Sequence, residues 1–458
     1  MFLRLKNLHF IGIGGIGMSG IAEVLLNQGF SVSGSDLMDS ETIDHLRRLG
    51  ADVHIGHAKA NVRKAQVVVY SSAVKPDNVE YIEAKRQGVP IIARAEMLSE
   101  LMRMKYGIAV AGTHGKTTTT SMVAAIMTQA DLDPTFIVGG KVKSLATNAR
   151  LGSGEFLVAE ADEYDRSFLK LTPAIAIITT LETEHLDTYG NLAEIRRAFV
   201  RFTERVPFYG SIVLCLDEPV VASLISDIRR PVITYGIDAG ADISAVDISF
   251  SEMQSTFDLI VRGDSRGKVT INQPGLHNVK NALAAIGVAE ELEIAFDSIQ
   301  KGLSGFRGVE RRFEIKGQAK GVMVVDDYAH HPTEVRATLA AARNGFDRRI
   351  IAVFQPHLFS RTKDFTEDFG RSFSDADVLI VTDIYAAREE PIPGVNGELI
   401  ADAAKNTGHE NVLNIPEMED ISPELSKIVQ SGDMVITLGA GNIWKVARDF
   451  LKYLEDDE

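Results

Sequence analysis

The sequence predicts an α/β protein of three domains built on largely parallel sheets, and three observations carry that prediction. The chain has 458 residues, which at roughly 100–200 residues per domain asks for about three. Short apolar runs alternate with amphipathic segments along its length, the pattern of repeated βαβ units. Two glycine-rich turns each follow an apolar run and open a helix.

Strands are expected at 8–11, 67–70, 108–111, 156–159, 174–179, 350–354, 378–381 and 434–438. Several are nearly all apolar, as strands covered on both faces are. Segments 243–246, 256–261 and 268–271 read instead as a small antiparallel insertion. The pattern divides into blocks 1–104, 105–310 and 311–458, the last opening near Arg311 ahead of a strand at 322–325.

Composition removes several classes of protein. With 45% hydrophobic and 24% charged residues the chain is neither disordered nor collagenous. Its one cysteine, Cys215, lies in the apolar run 212–216 and reads as a buried structural thiol, so no internal disulfide is available. No apolar stretch approaches the ~20 residues of a membrane span. Arg4 and Lys6 precede an apolar run, yet the regular glycines after it fit a strand-turn-helix better than a signal peptide. A cytoplasmic protein with no membrane partner is expected, either monomer or homodimer. The net charge of −15 argues against a nucleic-acid partner.

Gly12-Ile13-Gly14-Gly15-Ile16-Gly17 follows the first strand and opens a helix. Glycines there permit a tight turn and let backbone N–H groups approach a diphosphate, which the positive end of the helix favours. The second strand ends at Asp36, placed to offer a carboxylate to a ribose hydroxyl. This makes the first block Rossmann-like, for a nicotinamide or flavin dinucleotide or for another diphosphate such as a UDP-sugar. Gly14, Gly15, Ile16, Gly17 and Asp36 are the candidates, joined by Ser72 just past the strand at 67–70.

Gly112-Thr113-His114-Gly115-Lys116-Thr117-Thr118 lies between a strand and a helix expected over 121–129, the setting a P-loop requires. Backbone N–H groups from Gly112 to Lys116 can cradle the β- and γ-phosphates of ATP, Lys116 supplies a point charge, and the Thr117 hydroxyl can ligate Mg²⁺. The loop is shorter than the usual form, because Val110 stands where the first glycine would fall. The central block is therefore a P-loop ATPase-type parallel sheet. Downstream, Glu160-Ala161-Asp162-Glu163-Tyr164-Asp165 ends a strand, where carboxylates serve Mg²⁺·ATP chemistry.

A Rossmann-like block followed by Gly-Thr-His-Gly-Lys-Thr-Thr resembles the Mur ligases, the ATP-dependent amide-forming enzymes that build the peptide of bacterial peptidoglycan. The resemblance spans the whole chain and is greatest to the branch that adds L-alanine to UDP-N-acetylmuramate. It implies Glu160 as a Mg²⁺ ligand, with Asp162 or Glu163 as alternatives, and His185 as serving a second magnesium. Relatives that hold that metal with a carbamylated lysine differ here, since no lysine occurs from residue 171 to 267. His277, Asn278 and Asn281 are implied contacts of adenine and phosphates, although asparagines at a helix start are often only caps.

The third block is expected to be a second Rossmann-like α/β domain that binds the amino acid. The resemblance makes Arg312 a phosphate contact and turns Asp327 and His330 toward ATP and the incoming amine, with His330 a candidate general base. Arg361 can clamp an α-carboxylate with its planar fork, and His357 lies beside it in sequence. Some relatives carry another arginine after the histidine, where this chain has Leu358. Segment 384–394 is implied to shape a small amino-acid pocket.

The implied reaction uses ATP and two magnesium ions. The lactyl carboxylate of UDP-N-acetylmuramate attacks the γ-phosphate, and the amine of L-alanine then displaces phosphate from the acyl phosphate. Because water would destroy that intermediate, the third block is expected to close over the cleft. The rivals are a ligase that recycles a whole tripeptide onto the same sugar, a nicotinamide-dependent dehydrogenase, and a non-catalytic ATP-binding regulator.

Overall fold

The computed structural model describes residues 5–143, 147–182, 186–237, 240–387 and 389–456. The chain forms two compact units. One runs to Asp247 and adds Phe257–Val269 and Lys280–Arg307; the other takes Ile248–Thr256, Thr270–Val279 and everything from Gly308.

The first unit begins with a five-stranded parallel sheet: β1 (Asn7–Ile11), β2 (Ser31–Asp36), β3 (Asp52–Ile55), β4 (Val67–Tyr70) and β5 (Ile91–Ala93), in the order β3-β2-β1-β4-β5. The chain reverses its direction of winding between β1 and β4, so a crevice opens beyond their carboxyl ends, which is where open α/β sheets bind ligands. Helix Ile16–Asn27 follows β1 at that edge and buries Met18, Ile21, Ala22, Val24 and Leu25.

The next sheet has ten strands: β6 (Tyr106–Ala111), β7 (Thr135–Val142), β8 (Thr147–Arg150), β9 (Phe156–Glu160), β10 (Ile175–Ile178), β11 (Ser211–Cys215), β12 (Val232–Gly236), β13 (Ile243–Ser251), β14 (Gln254–Val261) and β15 (Asp264–Ile271). Their order is β15-β14-β13-β12-β11-β10-β6-β9-β7-β8. β6 sits centrally, parallel to β9 and β10, with Val110 paired to Glu160 and Ala111 to Ile178. Everything that leaves the carboxyl ends of these three strands therefore converges. β13, β14 and β15 are joined by two-residue connections, which forces antiparallel hairpins. The predicted antiparallel insertion is present, and its strands are longer than the apolar runs suggested.

In the second unit β16 (Glu314–Ala319), β17 (Val322–Asp327), β18 (Ile350–Phe354), β19 (Val378–Val381), β20 (Val412–Asn414) and β21 (Met434–Leu438) are ordered β16-β17-β21-β18-β19-β20. All pairings are parallel except that of β16 with β17. Core residues pack on both faces: Val325, Leu339, Phe354 and Ile436 on one, Val324, Val353, Val435 and Phe450 on the other. The predicted three-domain α/β architecture is thus observed.

The differences lie at sheet edges and helix starts. β16 and β8 carry few consecutive buried residues and gave no apolar run to detect. The helix expected from residue 121 begins at Lys116, because four threonines of low helix propensity are held in it by burial and by the loop before them.

Candidate active site

At the first glycine turn, Gly12 adopts φ +81°, and its N–H and that of Ile13 donate to the Ser35 carbonyl at 2.8 and 3.1 Å. The Gly14 N–H donates to Asp36 Oδ2 at 2.9 Å, and a Cβ on Gly14 would stand 3.0 Å from that oxygen. Asp36, read from sequence as a ribose ligand, is in this structure a brace of the turn: its other oxygen accepts the Leu37 N–H. Ile16 and Ser72 are exposed at the same edge. Beneath the turn Ser35 donates to Glu80, a fully buried carboxylate that also accepts from Asn61 and the Ala58 N–H and faces His9 and His57. Nothing in the sequence singled out this network, since its members are scattered over seventy residues.

The second turn is clipped to the segment after β10. Thr113 N–H donates to the Thr180 carbonyl, His114 N–H to Thr180 Oγ1, and Thr179 Oγ1 to the His114 carbonyl. Gly112 at φ +129° and Gly115 at φ +81° supply conformations that side chains resist, and a Cβ on Gly115 would meet Asn281 Oδ1 at 2.5 Å. Thr119 donates to the same Asn281 oxygen, so Asn281 supports the turn from beneath. Thr117 and Thr118 are buried in the first turn of the helix. The His114 ring lies 3.6 Å from Glu182.

Lys116 Nζ donates to the Gly112 and Thr113 carbonyls and to both oxygens of Glu163, at 2.9 and 3.0 Å. Burial pushes the Glu163 carboxyl up, to about 7, against the pull of Lys116. Burial alone would lower Lys116; Glu163, Asp162 and Glu160 outweigh it and keep the ammonium charged. Of the three acids at the end of β9, Glu163 is thereby committed to Lys116 and Asp162 to Arg94, 3.1 Å away. Glu160 Oε1 accepts the Gly139 N–H at 2.5 Å. His185 lies outside the described residues. Arg94, which no motif marks, stands at the carboxyl end of β5; its one signal in the sequence is that ligands gather at strand ends.

In the second unit Asp327, at the end of β17, accepts the Phe313 and Ala329 N–H groups at 2.6 and 2.7 Å. Burial raises its pKa to about 6 although Arg312 opposes the rise. Its oxygens thus tie the entry segment to the sheet. Arg311 is more firmly engaged than Arg312, donating to Asp326 and to the Gly439 and Gly441 carbonyls. Arg312 lies 3.7 Å from Glu334 and over the Tyr328 ring. His330 Nδ1 is 3.0 Å from the Tyr328 carbonyl and 3.1 Å from Glu334, an arrangement that places the proton on Nδ1 and leaves Nε2 as acceptor.

The His330 ring meets that of His357 edge-on at 5.7 Å, His357 stacks on Tyr385, and Arg361 Nη1 is 3.4 Å from His357 Nδ1. Burial, with His330 and Arg361 nearby, lowers the His357 pKa to about 3. Four residues predicted from three separate motifs, Arg312, His330, His357 and Arg361, therefore form one connected cluster. Leu358 takes φ +71° at the start of helix Phe359–Asp364. Asn278 donates to the Pro274 carbonyl of its own helix start, as a cap-forming residue would, and the His277 ring packs against Gly275.

The first unit thus carries two glycine turns and an acid-terminated strand of the kind nucleotide-dependent ligases use, the second unit carries a basic cluster, and the chain belongs to the Mur ligase family. Residues 7–106 match the description "Mur ligase family, catalytic domain", 110–289 "Mur ligase middle domain" and 311–441 "Mur ligase, glutamate ligase domain". The chain is 52% identical over 456 residues to the UDP-N-acetylmuramate–L-alanine ligase of Geotalea daltonii, with all of both chains covered. Its counterpart from Trichlorobacter lovleyi is 53% identical, with 99% of this chain and 100% of the relative covered. Among solved structures, the UDP-N-acetylmuramate-alanine ligase of Thermotoga maritima superposes with TM-score 0.83 at 29% identity, covering 99% of this chain and 100% of that one. A murein peptide ligase from Psychrobacter arcticus gives TM-score 0.71 at 27% identity, with 98% of each chain covered.

Proposed function

We infer that the chain is an ATP-dependent ligase that joins the lactyl carboxylate of UDP-N-acetylmuramate to L-alanine, releasing ADP and phosphate, in the assembly of peptidoglycan precursors. The observation that carries this reading is the convergence of a diphosphate-type turn, a P-loop and a carboxylate-ended strand in one unit of a chain whose full length matches alanine-adding relatives. The tripeptide-recycling alternative is not favoured, because full-length relatives at 52% and 53% identity carry the alanine-ligase name. A dehydrogenase would leave the P-loop without use.

The proposed roles are these. Gly14, Gly15, Ile16 and Gly17 would border the sugar diphosphate, with the Ile16 and Gly17 N–H groups at the start of the helix as its donors. Gly112 to Thr118 would cradle ATP, with Lys116 turning from Glu163 to the β- and γ-phosphates. Thr117 and Glu160 offer the hard oxygen ligands that magnesium prefers. Glu160 fits that task because its strand is in register with the one that feeds the P-loop. Magnesium, when bound, would neutralise phosphate oxygens; a second ion beside His185 belongs to the same proposal.

The carboxylate oxygen attacks the γ-phosphorus as the bond to the β,γ-bridging oxygen breaks, giving acyl phosphate and ADP. The alanine nitrogen then adds to the acyl carbon, the tetrahedral intermediate expels phosphate, and the amine proton leaves to a base. His330 Nε2 has the free lone pair for that proton, and Arg361 beside His357 is the candidate clamp for the α-carboxylate. His277, Asn278, Asn281, Arg312 and Asp327 stay assigned to ATP as proposals. Residues 1–104, 105–310 and 311–458 are proposed as sugar, ATP and amino-acid domains of a cytoplasmic enzyme. Among the described residues no helix is long and apolar enough to cross a membrane.

Phosphate release from ATP with UDP-N-acetylmuramate and either L-alanine or the tripeptide tests the reading. Release that requires both the sugar nucleotide and L-alanine is the expected result; release with the tripeptide alone would overturn the choice of acceptor. Lys116→Ala should abolish product, and full turnover by that variant would sink the P-loop assignment.

A further inference from the structure

Arg94 has no role in the reading above, yet it stands where two parts of the site approach each other. It is the first residue of helix Arg94–Arg103, directly after β5, so it leaves the same sheet edge as the first glycine turn. Its side chain lies along the opening of helix Ile16–Asn27: a Cβ on Gly17 would stand 3.0 Å from Nη1 and 3.3 Å from Cδ. The other end of the guanidinium, Nη2, is 3.1 Å from Asp162 Oδ2, two residues beyond Glu160. The absence of a side chain at Gly17 is what lets the guanidinium lie against the turn.

The charge balance of the turn calls for such a cation. Asp36 places a carboxylate on the Gly14 N–H, and the Gly12 and Ile13 N–H groups are spent on Ser35, so the turn presents fewer donors to a dianion than its glycines suggest. Asp36 also repels a second anion. The Arg94–Asp162 pair is partly exposed, 23% and 45%, and pairs of that kind are weak enough for an incoming polyanion to displace. The planar fork of arginine matches paired phosphate oxygens.

We propose that Arg94 is a binding residue for the diphosphate of the sugar nucleotide, exchanging Asp162 for phosphate oxygens when that substrate enters. The proposal rests on the ligase reading given above. By releasing Asp162 it also ties occupancy of the sugar site to the acid-rich segment at the end of β9.

The test is equilibrium binding of UDP-N-acetylmuramate, UDP and uridine, without ATP, to the full-length wild type and to Arg94→Gln and Arg94→Lys. Arg94→Gln should weaken both diphosphates at least tenfold and leave uridine within twofold; Arg94→Lys should recover part of the loss. Arg94→Lys, which keeps the charge and the stem but loses the planar fork, serves if Arg94→Gln does not fold, and should still weaken both diphosphates more than uridine. Unchanged UDP binding in folded Arg94→Gln, or equal losses for uridine and UDP, would overturn the proposal. A loss confined to UDP-N-acetylmuramate would also overturn it, by moving Arg94 to the lactyl carboxylate. Failure of the wild type to bind the sugar nucleotide at all would instead count against the ligase reading.

Discussion

Replacing Glu80 by glutamine removes a charge from the polar network beneath the first glycine turn, and the structure sets the size of the effect. Glu80 is fully buried, with Ser35 Oγ and Asn61 Nδ2 each at 2.5 Å, the Ala58 N–H at 3.1 Å, and His57 and His9 at 3.4 and 3.5 Å. Burial alone would raise its pKa, but His9, Ser35 and the Ala58 N–H outweigh it and bring the carboxyl from 4.5 to about 2. A folded-state pKa below the unfolded value means that the unfolded chain binds more protons at acid pH. The contribution is therefore complete above pH 4.5 and disappears as pH falls through about 2. Its size at neutral pH is about 3 kcal/mol, of which about half is gone by pH 3.

Ser35 transmits the loss, because its carbonyl receives the Gly12 and Ile13 N–H groups. Amide exchange read by mass spectrometry on peptides covering β1, the turn and β2 should accelerate in Glu80→Gln by about 30- to 150-fold at pH 7, allowing for partial replacement of the hydrogen bonds by glutamine. The ratio of variant to wild type should shrink toward pH 3, and the Michaelis constant for the sugar nucleotide should rise. Equal exchange in the two proteins at pH 7, or a difference as large at pH 3 as at pH 7, would mean that the Glu80 charge does not brace the turn.

Three further outcomes follow from other parts of the chain. Gly112→Ala puts a Cβ 2.2 Å from Thr179 Oγ1 and 2.9 Å from the Thr180 backbone at φ +129°, a strain on the order of 2 kcal/mol or more; phosphate release should fall at least a hundredfold, and wild-type turnover would contradict the loop geometry. His357 stays neutral down to about 3 when folded while the unfolded residue takes its proton near 6.5, so stability falls as pH drops through that window, by about 2 kcal/mol at pH 5. Urea midpoints at pH 7 and 5 should separate less in His357→Gln than in the wild type, and equal separations would show that His357 titrates freely. Burial pushes the Cys215 thiol up to about 11, so iodoacetamide at pH 8 should label it only after denaturant is added; ready labelling of the native protein would place it elsewhere than in β11.

The architecture and the two glycine turns were legible in the sequence alone, since both rest on short-range physics. Alternating apolar runs specify strands and helices, and glycines before a helix specify a phosphate-binding turn whatever surrounds them. Lys116 in its turn and the acid-rich end of β9 were legible as segments for that reason, as were Arg361 and His357 as neighbours, while the choice of Glu160 among the acids came from the family resemblance. Which groups those residues meet depends on long-range packing. It gave Glu163 rather than Glu160 to Lys116, used Asp36 and Asp327 to hold backbone N–H groups, and set Asn281 under Gly115 from 166 residues away. Arg94 and Glu80 stayed hidden in the sequence because a lone arginine after a three-residue strand and a glutamate in an ordinary helix carry no local pattern. Their partners are supplied by sheet order, which brings β5 and β2 to the edge where β1 ends, and pairing across such distances is energetic information that no stretch of sequence contains.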